Sequence, residues 1–188
     1  MLTDERINLL ARVARTPHGQ HAAASTDRSI LTLAAASYGS RPTDESTVPT
    51  GFDARAAALF EAIVEGAYIV ATSDGVFDDE EKRTFERIVT ASCGGAVPQR
   101  HIADLVADLG DQLEEDGVDR RLEIIGKAIG RREHALEILR IAVLIAQVSD
   151  EVSEVERSVL DKMASALKLE PGEVDVALSD VKQSLAGI

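Results

Sequence analysis

Between Asp53 and Thr72 the chain reads DARAAALFEAIVEGAYIVAT, and its apolar residues fall on nearly every side of a helical period instead of along one stripe. A helix of that kind has to be enclosed by others. Asp53 supplies its N-terminal cap, and Asp78 with Glu81 three residues later forms a capping box for a helix over about 79–91, with Phe85, Ile88 and Val89 inward. That helix ends at Cys93-Gly94-Gly95, where glycine accepts the left-handed cap conformation. Val97-Pro98 opens the next, with proline in the first turn and an apolar stripe of Ile102, Leu105, Val106, Leu109 and Leu113. After Gly117 the pattern predicts helices over 118–132, 133–148 and 154–168, and a last one opened by Glu170-Pro171.

Upstream, residues 4–15 suit a short amphipathic helix with Ile7, Leu10 and Val13, or neighbouring Leu9 and Ala11, on one side. A further short helix is expected over 26–36. From Ser37 to Asp53 the residues SYGSRPTDESTVPTGFD have the composition of a loop or linker. Residues 1–52 therefore read as an N-terminal extension and residues 53–188 as the main helical domain.

An internal repeat sets the expected architecture. AYIVATSDGVFDDEEKRTF, from Ala67 to Phe85, lies over AVLIAQVSDEVSEVERSVL, from Ala142 to Leu160, at a constant offset of 75 residues. Ala71 falls on Ala146, Phe77 on Val152, Glu81 on Glu156 and Phe85 on Leu160, and the capping box recurs as Ser153 with Glu156. The expectation is an all-α helical bundle of two pseudo-symmetric helix-turn-helix repeats, with the two most apolar helices burying each other.

Composition narrows the partners. Hydrophobic residues make up 45% of the 188, but aromatics only 3%, so the core must be aliphatic. A formal charge of −13 repels phosphate backbones and anionic lipid, which argues against nucleic acid and against membrane surfaces. One cysteine allows no internal disulfide, no run is long enough to insert directly into a membrane, and the acids at the start do not read as a signal peptide. These features together lead to the expectation of a cytoplasmic protein.

The stretch TSDGVFDDEE, Thr72–Glu81, looks like the second part of a calcium loop, since Gly75 and Glu81 stand where an EF-hand has its glycine and bidentate glutamate. Its first part fails: Val70 and Thr72 occupy positions that need carboxylates, inside an apolar helical run. Asp74, Asp78 and Glu81 therefore have two readings, as turn and cap residues or as ligands of a divalent cation, calcium or magnesium. Asp104, Asp108, Asp111 and Glu115 form a second acidic feature, at helical spacing opposite the Ile102–Leu113 stripe, which is either a solvated face or a surface for a basic or membrane-associated protein partner. His18, His21, His101 and His134 do not complete a zinc set, and Cys93 reads as a buried structural thiol. There is no G-x-S-x-G, Walker loop, H-E-x-x-H or C-x-x-C, and no E-x-x-H pair of the di-iron kind, so an enzyme is the weakest reading.

An apolar helix ending in Ser73-Asp74-Gly75, followed by apolar Phe77 and by Glu81, resembles the TerB-like tellurite-resistance family, whose helical domain is shared with some membrane-anchored J-domain cochaperones. In the second copy only Val152 and Glu156 match, because Ser149-Asp150 stands where Asp-Gly is expected. The resemblance covers about residues 53–186. It implies a compact all-α bacterial domain associated with tellurite and other stress responses, a divalent-cation site on an acidic surface, and no defined catalytic reaction. The function expected from these readings is a non-enzymatic cytosolic stress-response module with a cation at the Asp74–Glu81 turn. The alternative is an acidic protein-interaction scaffold whose turn acids are only caps.

Overall fold

A computed structural model describes residues 2–17, 28–42, 50–75, 77–149 and 151–187. The described residues form α1 (Asp4–Arg15), α2 (Ile30–Gly39), α3 (Ala54–Ala71), α4 (Asp79–Ser92), α5 (Gln99–Asp116), α6 (Val118–Ala128), α7 (Arg132–Ala146), a 3-10 turn (Gln147–Ser149), α8 (Glu154–Ala166) and α9 (Glu173–Ala186), and no strand. The fold is all-α.

Most helix starts obey the caps visible in the sequence. The Asp53 carboxylate accepts from Arg55 N at 2.8 Å and Ala56 N at 3.2 Å, and both capping boxes are closed. Some boundaries differ from expectation: α6 stops at Ala128, short of 132, and α7 gives way to the 3-10 turn after Ala146. The helix expected over 26–36 starts at Ile30, because the Ser29 hydroxyl takes the Thr32 N–H at 3.2 Å. The one expected to reach 168 stops at Ala166: Lys168 adopts a left-handed φ of 58° and Leu169 N turns back to Ala164 O at 2.9 Å. Pro98 is the cap of α5 itself, and the last helix begins after a left-handed Gly172 instead of at Pro171.

The two helices without a polar side, α3 and α7, pack on each other more extensively than any other pair, and the rest of the bundle closes around them. Ile63, Ile69, Ile138, Leu139 and Leu144 are fully buried at this contact layer. Close approach elsewhere needs glycine: a Cβ at Gly126 of α6 would stand 2.1 Å from Ala166 O of α8.

Residues upstream of 53 contribute two helices to the same core, with Leu10 of α1 and Ala35 of α2 both at 0% exposure. A helix of 12 residues is marginal alone. Burying Ile7, Leu10 and Val13 contributes roughly 5–9 kcal/mol as an upper bound, enough to hold it.

A buried ion pair adds direction to that packing. Arg140 of α7 donates Nε to Glu137 Oε2 at 2.9 Å and Nη2 to Glu137 Oε1 at 3.2 Å. Its remaining donors reach the last carbonyls of α1, Val13 O at 3.1 Å and Ala14 O at 2.9 Å. Glu137 in turn accepts from Leu31 N in the first turn of α2 at 3.2 Å. One pair thus satisfies orphan groups at the end of one helix and the start of another.

Candidate functional site

The first turn begins where α3 runs out of apolar residues. Thr72 and Ser73 turn their hydroxyls back onto Tyr68 O at 3.0 Å and Val70 O at 2.8 Å, and Gly75, at φ 86°, donates to Thr72 O at 3.3 Å. Val70 stays helical and 1% exposed, so this turn does not wrap an ion as an EF-hand loop does. Asp78 Oδ1 then accepts from Glu80 N at 2.8 Å and Glu81 N at 2.9 Å, while Asp78 N donates to Glu81 Oε2 at 3.1 Å. Tyr68, Phe77 and Phe85 seal the turn as an edge-to-face trio with centroids 5.4–6.2 Å apart.

The second turn uses the same cap chemistry. Ser153 N and Oγ both donate to Glu156 Oε2, at 2.8 and 2.9 Å, and Glu156 N donates to Ser153 Oγ at 3.2 Å. Arg6 Nη2 of α1 donates to Gln147 O at 3.2 Å, satisfying a carbonyl beyond the end of α7. Asp150, at the place of Gly75 in the first copy, lies outside the described residues.

The two turns border one cleft of about 430 Å³. Its rim carries Asp74, Asp78, Glu80, Glu81 and, from the other turn, Glu156. The floor is apolar, made by Phe77, Phe85 and Ile88 from one side, Ile145 and Val148 from the other, and Leu2. Among the described residues, five carboxylates and no basic side chain line it. A cleft lined by one sign of charge over a low-dielectric floor concentrates its field, and the size is that of an ordinary ligand pocket, roughly 300–1,000 Å³.

Whether this is a cation centre depends on convergence, and the acids share a cleft without converging. Among the described residues no group of three or more His, Cys, Asp or Glu side chains is placed to hold a metal ion. Asp78 Oδ1 and Glu81 Oε2 are already engaged by backbone N–H groups, whereas calcium asks for six to eight oxygens. The residues present do not fit a preformed ion cage.

The row Asp104, Asp108, Asp111 and Glu115 lies exposed along α5 as its spacing predicts, and none of the four lines the cleft. Its field is felt nearby. Burial pushes the Tyr38 hydroxyl up, Glu61 adds to it, and Asp108 and Asp104 add further, against the opposing Arg41 guanidinium. Arg41 lies over the rings of Tyr38 and Phe52 and pairs with Glu61 at 2.8 Å, so part of this face already has a basic neighbour.

Elsewhere, burial raises the Cys93 thiol to about 12, which makes it inert at neutral pH. His101 lies beside Arg100, whose Nε stands 3.3 Å from its Nε2. His18 and His21 lie outside the described residues. Glu65 of α3, 8% exposed, accepts from Arg121 Nε at 2.6 Å, and Arg121 also reaches Asp116 at 3.0 Å. Desolvation nonetheless raises the Glu65 carboxyl above its ordinary value, the Arg121 hydrogen bond opposing it.

Sequence reasoning found Asp74, Asp78 and Glu81 but did not place Glu156 or the floor residues Ile145 and Val148 in the same cleft. The available signal was the doubled capping box after two helices apolar all round, which puts both box glutamates at one end of a central helix pair.

No curated protein and no solved structure matches the chain. The family model of tellurite resistance protein TerB matches residues 60–178, which runs from inside α3 to inside α9 and takes in both turns of the cleft. With well over half its length covered by that match, the chain belongs to the TerB family.

Proposed function

We propose that this protein is a non-enzymatic TerB-type module of a bacterial stress response, tellurite resistance included, that works by taking up positive charge in the cleft between its two turns. The observation that carries the reading is the lining, which among the described residues is five carboxylates from both turns, no basic side chain, and an apolar floor. Among the described residues that line it no hydrogen-bonded nucleophile–base pair is present, and the described chain offers no helix long and apolar enough to cross a membrane. A cytoplasmic binding role fits both features.

A second reading has its own support. Glu156 brings a carboxylate across to Asp74, Asp78 and Glu81, so a calcium or magnesium ion could draw in ligands from both turns. The α5 row is the competing surface for a basic partner.

Backbone NMR shifts followed during titration with calcium, and separately with the polycation spermine, test the reading. Shifts centred on Asp74, Glu81 and Glu156 are expected. Shifts centred on Asp104–Glu115 would move the working surface to α5 and overturn the cleft.

A further inference from the structure

We infer that the occupant of the cleft is a cationic amphipathic segment of a protein partner, its leucine- or isoleucine-type side chains resting on Phe77 and Ile145 and its lysine or arginine held between Glu81 and Glu156. The inference rests on reading the cleft as the working surface, and it goes further by choosing among cations. Three features make the choice.

The first is the floor. A bare ion leaves Leu2, Phe77 and Val148 facing water, whereas a segment with apolar side chains removes that surface at about 25 cal/mol per Å². The second is the oxygen supply. Glu81 and Glu156 each spend Oε2 on their own capping box, and Oε1 of each accepts no hydrogen bond among the described residues. One open carboxylate oxygen from each helix start matches an ammonium or a guanidinium fork, which needs few acceptors, better than a divalent ion that needs six or more. The third is charge. The N-termini of α4 and α8 bring about half a positive charge each, less than the carboxylates of Asp78, Glu81 and Glu156 supply. A second copy of this chain, at −13 overall, would be repelled.

The test uses the whole chain and a fluorescein-labelled dodecapeptide of leucine and lysine at helical spacing, with two control peptides, serine replacing leucine in one and glutamate replacing lysine in the other. Fluorescence polarisation reads binding. Glu81→Gln/Glu156→Gln removes both charges yet keeps an oxygen for each capping box, so the fold is retained. Thr84→Trp fills the cleft without touching a cap.

The leucine–lysine peptide is expected to bind, to weaken as salt rises from about 0.05 to 0.3 M, and to weaken about tenfold or more in both variants. The serine copy should bind about tenfold more weakly, for want of the floor contact, and the glutamate copy not at all. Equal binding of the serine and leucine peptides, or unchanged binding in both variants, overturns the segment. If spermine or calcium maps to the cleft and the peptide does not bind, the segment falls while the cleft stands; if no cation of any kind maps there, both fall.

Discussion

Glu65 of α3 and Arg140 of α7 stand 75 residues apart, the same offset that lays Glu81 on Glu156. Both sit in helices with no polar side, and both are buried, at 8% and 5% exposure. Yet one is an acid held by an arginine of α6, and the other a base that grips its own helix's Glu137 and the carbonyls of α1. The turns that follow differ too. Tyr68, Phe77 and Phe85 seal the first, and the residues at matching places in the second are Val143, Val152 and Leu160. The caps and the apolar framework repeat, whereas buried charge and aromatic packing are local. The likeness between the two stretches therefore lies in caps and apolar positions, and each has its own buried charge and seal.

The largest expected break in that comparison is at Arg140. Arg140→Met strands the Glu137 charge in the core and takes the guanidinium from the Ala14 carbonyl, for an expected loss of about 3–5 kcal/mol in urea denaturation. A loss under about 1 kcal/mol would show that α1 is held by apolar packing alone. Exchanging the seals comes next. Phe85→Leu in the first turn and Leu160→Phe in the second should each cost about 1–3 kcal/mol, one by underpacking and the other by overpacking. If Leu160→Phe is neutral, the second copy keeps room for an aromatic that its sequence lacks.

Truncating the caps sharpens what is shared. Asp78→Ala and Ser153→Ala should each cost about 1 kcal/mol, with the two values alike within error in thermal or urea melts. Unequal values would mean that one turn is supported from outside its box. The smallest effect is a pH slope at Glu65. Its carboxyl is raised above the ordinary 4.5 chiefly by desolvation, so its contribution is fully present below that value and is lost as pH rises through the raised one. Glu65→Gln should remove that decline, seen as the difference between the two proteins' melting temperatures across mildly acidic pH. A difference that does not change with pH would mean that Arg121 cancels the burial.

Much of the backbone was legible because its signals are local. Asp53, Asp78 and Ser153 announce three helix starts within four residues each, and Gly94-Gly95 and Gly117 announce stops. Of the boundaries that moved, those at Ile30, Ala166 and Glu173 depend on one serine cap and on left-handed turns at Lys168 and Gly172, which no periodicity reveals, and α6 stops at Ala128, four residues short of 132. Of the cleft, Asp74, Asp78 and Glu81 could be read as a group because they lie within eight residues. Glu156 and Ile145 could not, since their approach depends on how α3 and α7 cross. The burial of α1 was hidden for a similar reason: its partner charge lies 126 residues further along the chain.

That separation has a consequence during synthesis. At roughly 5–20 residues per second, α1 is polymerised roughly 6–25 s before Arg140. Throughout that interval α1 can pack on α4, its most extensive neighbour, but the Ala14 carbonyl at its end waits for the Arg140 guanidinium. Slow codons between α4 and α7 would lengthen this wait, and the end of α1 gains its ionic anchor only once α7 has emerged.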